Sequence, residues 1–171
     1  MLAEKIYNLN SFRRQYEALL TLSVCETIPR LVWNKDKSDL LSQIDWSNML
    51  SIASLFSYCD ESKYLDAALR IAQTCLSQDV TSENQKNAAA FILDNLTNKP
   101  AIKIALDKQY LKNNFRDNYP FALRVQQSKS DIEHTIIIND KIFLLNRFLK
   151  EVYSAYKHNE TISISAPTSA G

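Results

Sequence analysis

The sequence predicts a mostly α-helical fold, a bundle of antiparallel helices, on three observations. Sheets and tight hairpins consume glycine, yet the 171 residues include one glycine and four prolines. Apolar residues recur at helical spacing over most of the chain. The polar connections between these stretches are short, and short connections make neighbouring helices antiparallel. A hydrophobic content of 46% and a charged content of 23% are typical of a globular protein with a real core.

The first helices are predicted from capping residues and apolar stripes. Ser11 is placed as the N-cap of a helix with apolar residues at helical spacing. Pro29 interrupts the next stretch, so Thr27–Lys37 is expected to form a short helix or a turn. Asp45 then precedes a strongly apolar helix that runs to about Tyr58. Because that helix is apolar on most sides, it needs neighbours that cover nearly all of it.

The next three helices have the clearest signals in the chain. Ser62–Gln78 is regularly amphipathic, with one apolar stripe and charged residues outside it. Ser82 and Gln85 have the spacing of a capping box and predict the start of another helix. Asn98 and Pro100 end that helix and begin a third, since proline is well placed in a first turn. Two short connections therefore join three antiparallel helices.

The last third of the chain has weaker patterns. Phe121–Val125, after a Tyr-Pro break, is expected to be either a short helix or a strand. Thr135–Ile138 is a β-branched run, which predicts a strand or a buried extended connector. Either Asn139 or Asp140 is then expected to cap a long helix that runs to about Lys157.

The chain ends with a pattern typical of phosphate-binding loops. Thr161, Ile162 and Ile164 favour a short strand, and a Ser/Ala/Pro/Gly run follows. A phosphate loop consists of a small residue, four variable residues, glycine, lysine and a hydroxyl residue. Its first six positions match Ala166, Pro167, Thr168, Ser169, Ala170 and Gly171. The sequence therefore predicts an incomplete phosphate loop, and the alternative is a disordered tail.

Ser165–Gly171 resembles the first half of motif I of superfamily 2 DEAD/DEAH-box helicases of the Superkiller and Hel-like branch. On this resemblance, the chain is the N-terminal fragment of such an enzyme. Residues 1–130 would be a helical accessory domain, and residues 131–171 the first helix and strand of an α/β RecA-like motor domain, truncated within the phosphate loop. ATP and Mg²⁺ would be cofactors of the intact parent, whereas the fragment would bind neither and have no catalytic residue. The turn Leu96–Ile102 is similar to the front of bacterial antiphage-defence helicases of the Hachiman type.

The resemblance extends to the helix before the loop. DEAD-like helicases carry a Phe-Gln pair there, and the glutamine recognises adenine. Asn146–Glu151 is similar to that segment, but Leu149 stands where the glutamine would be. A leucine cannot hydrogen-bond a base, so adenine would have to be selected weakly or by other residues. The alternative is that Phe148 and Leu149 are core residues.

Positive charge is concentrated in one segment. Residues 99–129 carry seven Lys/Arg against two Asp/Glu, although the net charge of the whole chain is only +1. Cations interleaved with aromatic rings suit single-stranded nucleic acid, so DNA or RNA is a candidate partner. The alternative is a solvated helix face, because lysines recur at i, i+4 spacing. The candidate nucleic-acid contacts are Lys99, Lys103, Lys108, Lys112 and Arg116.

The number and spacing of a few residue types argue against zinc and nucleophile sites, disulfides, membrane spans and secretion. His134 and His158 are far apart and have no partner spacing typical of zinc or nucleophile sites. Cys25, Cys59 and Cys75 are odd in number and widely separated, which indicates reduced thiols in a cytoplasmic protein. No apolar run of about 18 residues predicts a membrane span, and no secretory signal is visible.

Two functions from different classes remain open. The first is the accessory domain of an ATP-dependent helicase, which docks a protein partner or guides DNA or RNA. The second is a free-standing helical adaptor that binds other proteins and carries an unstructured tail.

Overall fold

A computed structural model describes residues 2–28 and 37–158, together with Thr161 and Ser163. The chain divides into two compact units, Met1–Arg124 and Val125–Gly171. The domain boundary predicted from the sequence, between residues 130 and 131, lies a few residues after this division. The described residues are mostly helical, which confirms the predicted class, and they include one two-stranded antiparallel sheet.

The described residues of the first unit form helices and one 3₁₀ turn. Its helices are α1 (Leu2–Tyr7), α2 (Asn10–Thr27), α3 (Lys37–Ser42), α4 (Trp46–Phe56), α5 (Ser62–Ser77), α6 (Glu83–Asn95) and α7 (Lys99–Asp107). The 3₁₀ turn is Phe115–Asn118, and helix α8 (Phe121–His134) spans the boundary between the units. Phe121–Val125, expected as either a helix or a strand, is therefore the beginning of a helix.

Three helix starts confirm the caps predicted from the sequence. The Asp45 side chain accepts a hydrogen bond from the backbone N–H of Asn48 at the start of α4. Ser82 and Gln85 form both hydrogen bonds of a capping box at the start of α6. Asn98 caps α7. Such caps satisfy N–H groups that have no partner inside the helix.

The predicted cap of α2 is wrong. The helix begins at Asn10, so Ser11 lies inside its first turn. Leu9 is the N-cap, with an extended backbone and no side-chain hydrogen bond. Because the connection from α1 is only two residues long, α2 begins earlier in the chain than a cap at Ser11 would place it.

The core of the first unit lies where α4, α5 and α6 pack together. Helices α5 and α6 pack against each other, and both carry fully buried alanines: Ala67, Ala68, Ala72, Ala89 and Ala90. Side chains of this size allow two helix axes to approach closely. A cluster of aromatic rings lies around Phe56 at the end of α4, with centroids 5.1 to 6.0 Å apart, and consists of Tyr7, Phe12, Phe56 and Tyr64.

The second unit contains a β-hairpin and a helix after the end of α8. Strand β1 (Thr135–Ile138) pairs with β2 (Lys141–Leu144), and α9 (Arg147–His158) follows. The strand at Thr135–Ile138 was one of two predicted alternatives. The long helix predicted from Asn139 or Asp140 is wrong in its first part, because both residues have positive φ, 49° and 62°, and form the hairpin turn. Two-residue turns of this geometry match the twist of antiparallel strands.

The RecA-like motor remains a prediction. Its expected first strand includes Ile162 and Ile164, which lie outside the described residues. The helix expected before that strand corresponds to α9, which is shorter than predicted and ends at His158. The hairpin that precedes α9 was not part of the prediction.

Candidate functional site

The predicted phosphate loop cannot be located on the structure. All six of its residues lie outside the described part of the chain: Ala166, Pro167, Thr168, Ser169, Ala170 and Gly171. In the described part, no group of three or more His, Cys, Asp or Glu side chains could hold a metal ion. The described helices also include none with the length and apolar character needed to cross a membrane.

Three of the five candidate nucleic-acid contacts form ion pairs within the first unit. Lys99 and Arg116 converge on Asp94, and Lys112 pairs with Glu83 at 2.6 Å. Lys103 lies on α7 and Lys108 at its end. Both side chains are exposed, and neither pairs with an acid among the described residues. The structure therefore does not gather the five cations into one free surface.

Asp94 is the centre of a buried polar cluster at the end of α6. Its carboxylate is fully buried and accepts hydrogen bonds from Lys99 Nζ to Oδ1 (2.8 Å), from Arg116 Nη2 to Oδ1 (2.8 Å) and from Arg116 Nε to Oδ2 (3.2 Å). The Tyr119 hydroxyl donates to Oδ2 at 3.4 Å. A buried carboxylate needs such compensation. The cluster therefore fixes residues 115–119 onto α6.

Tyr119 also packs against two aromatic rings. Its ring meets Phe91 edge-on with centroids 5.5 Å apart, and it meets Phe115 edge-on at 5.9 Å. Burial raises the pKa of the Tyr119 hydroxyl far above its ordinary value, and the negative charge of Asp94 raises it further. Tyr119 is therefore neutral at every physiological pH.

A groove of about 720 Å³ is lined by residues of α4, of α6 and of the segment 118–123, and it is open to solvent. Its lining includes the apolar side chains of Leu50, Phe91 and Ile92. The walls are small or polar residues: Ser47, Ser51 and Ser54 on α4, and Asn84, Gln85 and Ala88 on α6. Tyr119 and Leu123 line it as well. A volume between roughly 300 and 1,000 Å³ with an apolar lining and a few polar groups is typical of a binding site.

Two hydrogen bonds join α6 to α4 and to the residue that follows α4. Gln85 Nε2 donates to Ser47 Oγ at 3.4 Å near the start of α6. Asn95 Nδ2 donates to Ser57 Oγ at 2.8 Å near its end. These contacts keep α4 and α6 in register. The groove is therefore formed before any ligand arrives, which lowers the cost of binding.

Asn87 is a functional candidate that the sequence analysis missed. It is only 9% exposed, and it lines both the groove and a smaller pocket of about 200 Å³ beside residues 109–112. The buried side-chain polar atoms without a hydrogen-bond partner in the described part of the chain are Trp46 Nε1 and the Tyr64 hydroxyl, and the Asn87 amide is not one of them. The signal available in the sequence was an asparagine at helical spacing from Phe91 and Asp94, on a stripe that is otherwise buried.

Comparison with known proteins identifies no relative. No family model matches the chain, and no curated protein or solved structure is significantly similar to it. The helicase resemblance therefore depends on the quoted residues alone, and the geometry of the first unit is the remaining basis for a functional proposal.

Proposed function

We propose that residues 2–124 form a protein-docking module, the accessory unit of an ATP-dependent helicase of the DEAD/DEAH type that the sequence resembles. The observation that carries the docking role is the preformed groove between α4 and α6, which has an apolar lining and no charged side chain. The helicase role is supported by the resemblance of Ser165–Gly171 to motif I. The antiphage-defence role is supported only by the similarity of Leu96–Ile102 to Hachiman-type helicases.

Docking of a protein is favoured over guiding of nucleic acid because the cations of the basic segment are largely used inside the unit. Lys99 and Arg116 neutralise the buried Asp94, and Lys112 pairs with Glu83. Phosphate contacts by free Lys and Arg provide most of the affinity of nucleic-acid binding. A segment whose cations already have carboxylate partners offers few such contacts.

Guiding of DNA or RNA is the second candidate, and one observation favours it. Lys103 and Lys108 are exposed cations without an acidic partner among the described residues. Tyr110, which follows them closely in the sequence, is 38% exposed. Cations that follow the backbone and a ring that stacks on a base are the components of single-strand binding sites.

Fluorescence anisotropy with labelled single-stranded DNA and RNA decides between the two candidates. For the docking module, we expect no saturable binding in the range of roughly 10⁻⁴ to 10⁻⁶ M where non-specific nucleic-acid binding occurs. Salt-dependent binding in that range, removed by Lys103→Glu with Lys108→Glu, would establish the second candidate instead. Lys5→Glu with Arg14→Glu is the matched control, since it makes the same change of charge at two exposed positions elsewhere on the unit.

The proposed helicase has ATP and Mg²⁺ as cofactors of its motor, and a cytoplasmic location fits its three free thiols. We expect the 171-residue chain to bind no ATP, because Ala166–Gly171 is not followed within the chain by the lysine that neutralises phosphate charge. Titration calorimetry with ATP and Mg²⁺ tests this expectation, and binding at micromolar concentration would contradict it.

A further inference from the structure

The hairpin of the second unit has two open strand edges. Among the described residues, β1 pairs with β2 and with no other strand. An open edge presents a row of backbone N–H and C=O groups that can pair with another strand. A two-stranded sheet is marginal in water, and additional strands stabilise it. Each edge of the hairpin is therefore a place where a further strand can add.

The register of the hairpin shows which backbone groups of β1 face outward. The Leu145 N–H donates to the His134 carbonyl at 2.8 Å, so these two residues form a hydrogen-bonded pair. Hydrogen-bonded and non-hydrogen-bonded pairs alternate along an antiparallel ladder. Ile136, two residues after His134, therefore directs its backbone groups to β2. The N–H and C=O groups of Thr135 and Ile137 point away from β2, toward the open edge.

The β1 edge lacks the features that prevent strands from pairing. Such features are charged side chains, proline and bulges. Thr135–Ile138 contains no charge and no proline, and its register with β2 is continuous. All of its residues are β-branched, which favours a strand. The β2 edge differs, because it begins with Lys141. Of the two edges, β1 is therefore the one suited to pairing.

A second copy of the chain supplies a strand that fits this edge. When two β1 strands run antiparallel about a two-fold axis, Ile136 lies opposite its own equivalent, and Thr135 lies opposite Ile137 of the second copy. The outward N–H and C=O groups then face each other and can exchange hydrogen bonds. No two charged residues face each other within the paired strands. Ile137 and Ile142, exposed by 68% and 74%, share one face of the hairpin, and the second copy extends that face.

From these observations we infer that the β1 edges of two copies of the chain pair antiparallel and join two hairpins into one four-stranded sheet. The interface uses residues of the second unit, so it goes beyond the docking function proposed for the first. The contact is isologous and closes on itself, because each copy contributes the same strand. It leaves the two β2 strands, with Lys141, at the outer edges of the sheet.

Cysteine cross-linking of the full chain tests this register. Ile136 lies on the two-fold axis in a non-hydrogen-bonded pair, where Cα atoms are about 4.5 Å apart, a distance that a disulfide spans. We expect Ile136→Cys to form an interchain disulfide under mild oxidation, and peptide mass spectrometry distinguishes it from bonds of the native thiols. Phe143→Cys is the matched control, because Phe143 lies opposite Ile136 on β2 and would be about 14 Å from its equivalent across the sheet. Its cross-linked fraction should be at least about fivefold lower.

Proline substitution tests the backbone hydrogen bonds. In Ile137→Pro the lost N–H is one that points to the open edge, so the hairpin keeps its own ladder bonds. We expect the dissociation constant of the dimer, measured by analytical ultracentrifugation, to rise at least about tenfold, because each copy loses one intermolecular donor. Ile142→Pro is the matched control, since Ile142 lies opposite Ile137 and its N–H points to the other edge. That variant should keep the dissociation constant of the unchanged chain.

The other outcomes would overturn the inference or are decided by the cross-link. A chain that stays monomeric at every concentration reached would overturn it. Cross-linking of Phe143→Cys in preference to Ile136→Cys would show that the copies pair through β2. Equal cross-linking of both variants would show association through the apolar face without a defined register. If both proline variants lose the dimer, the hairpin itself is required, and selective cross-linking of Ile136→Cys then decides whether β1 is the contact.

Discussion

The two units of this chain differ in how they place their apolar side chains. In the first unit, buried apolar residues from Ala3 to Tyr119 form one core. In the second unit, no apolar residue among the described residues 125–158 is buried. Its large apolar side chains are instead exposed by 37% or more at Val125, Ile132, Ile137, Ile138, Ile142, Phe143, Leu144, Phe148, Leu149 and Tyr156.

Because of this difference, the two units should contribute unequally to the stability of the chain. Burial of apolar surface is the main source of folding free energy, so most of the stability should reside in the first unit. The conformation of the hairpin in the second unit depends on the turn at Asn139 and Asp140 and on the pairing of two short strands. An isolated two-stranded hairpin is marginal in water. The same substitution should therefore have different consequences in the two units.

Leu93→Ala should have the largest effect. Leu93 is fully buried on α6, and removal of its side chain should lower the free energy of unfolding by about 3 to 4 kcal/mol through lost burial and a cavity. Leu149→Ala on α9 is the matched change in the second unit, where the side chain is 37% exposed, and should cost less than about 1 kcal/mol. Urea unfolding of both variants measures the difference, and equal losses would show that the second unit also depends on a core.

Asp94→Asn should have the next largest effect, a loss of about 2 to 3 kcal/mol. The change leaves Lys99 and Arg116 without the buried carboxylate that both contact. Glu83→Gln is the control, because it breaks an exposed pair with Lys112 and should cost less than about 1 kcal/mol. If the two variants unfold at the same urea concentration, the Asp94 cluster is not a structural anchor.

The helices of the first unit could be predicted because their start signals are local in sequence. Asp45, the Ser82 and Gln85 pair, and Asn98 each act within one turn of the residue they cap. The hairpin was missed because β2 is only four residues long, and its apolar residues fit a helix as well as a strand. The decisive information was the two-residue Asn-Asp turn, which favours positive φ at both positions.

The candidate site could be predicted only in part. The sequence identified the basic residues but not their partners, because Arg116 meets Asp94 across 22 positions of the chain. The groove depends on which residues of α4 and α6 face each other, and helical periodicity alone does not specify that pairing. Asn87 was overlooked for the same reason, since it lines a pocket together with residues 109–112, which lie far along the chain.

Gln109→Gly should stabilise the first unit by about 0.5 to 1 kcal/mol. Gln109 has φ of 59° just after α7, a conformation that glycine adopts without steric cost. Its side chain is exposed, so little packing is lost. Asn113→Gly, another exposed polar position in the same connection, is the control and should not stabilise. Thermal unfolding measures both, and a lower midpoint for Gln109→Gly would mean that its side chain contributes more than the backbone strain costs.

Ile142→Thr should have the smallest effect on stability and the clearest effect on the exposed surface of the second unit. Ile142 lies opposite Ile137 in the hairpin, and both side chains are exposed, by 74% and 68%. Threonine keeps the β-branched shape that suits a strand, so the free energy of unfolding should change by less than about 0.5 kcal/mol. Exposed apolar clusters promote association, so light scattering at high concentration should decrease. Val80→Thr is the matched control: Val80 is 65% exposed in the first unit but lies outside such a cluster, and its replacement should leave scattering unchanged. Equal decreases in both variants would show that the two surfaces behave alike despite their different cores.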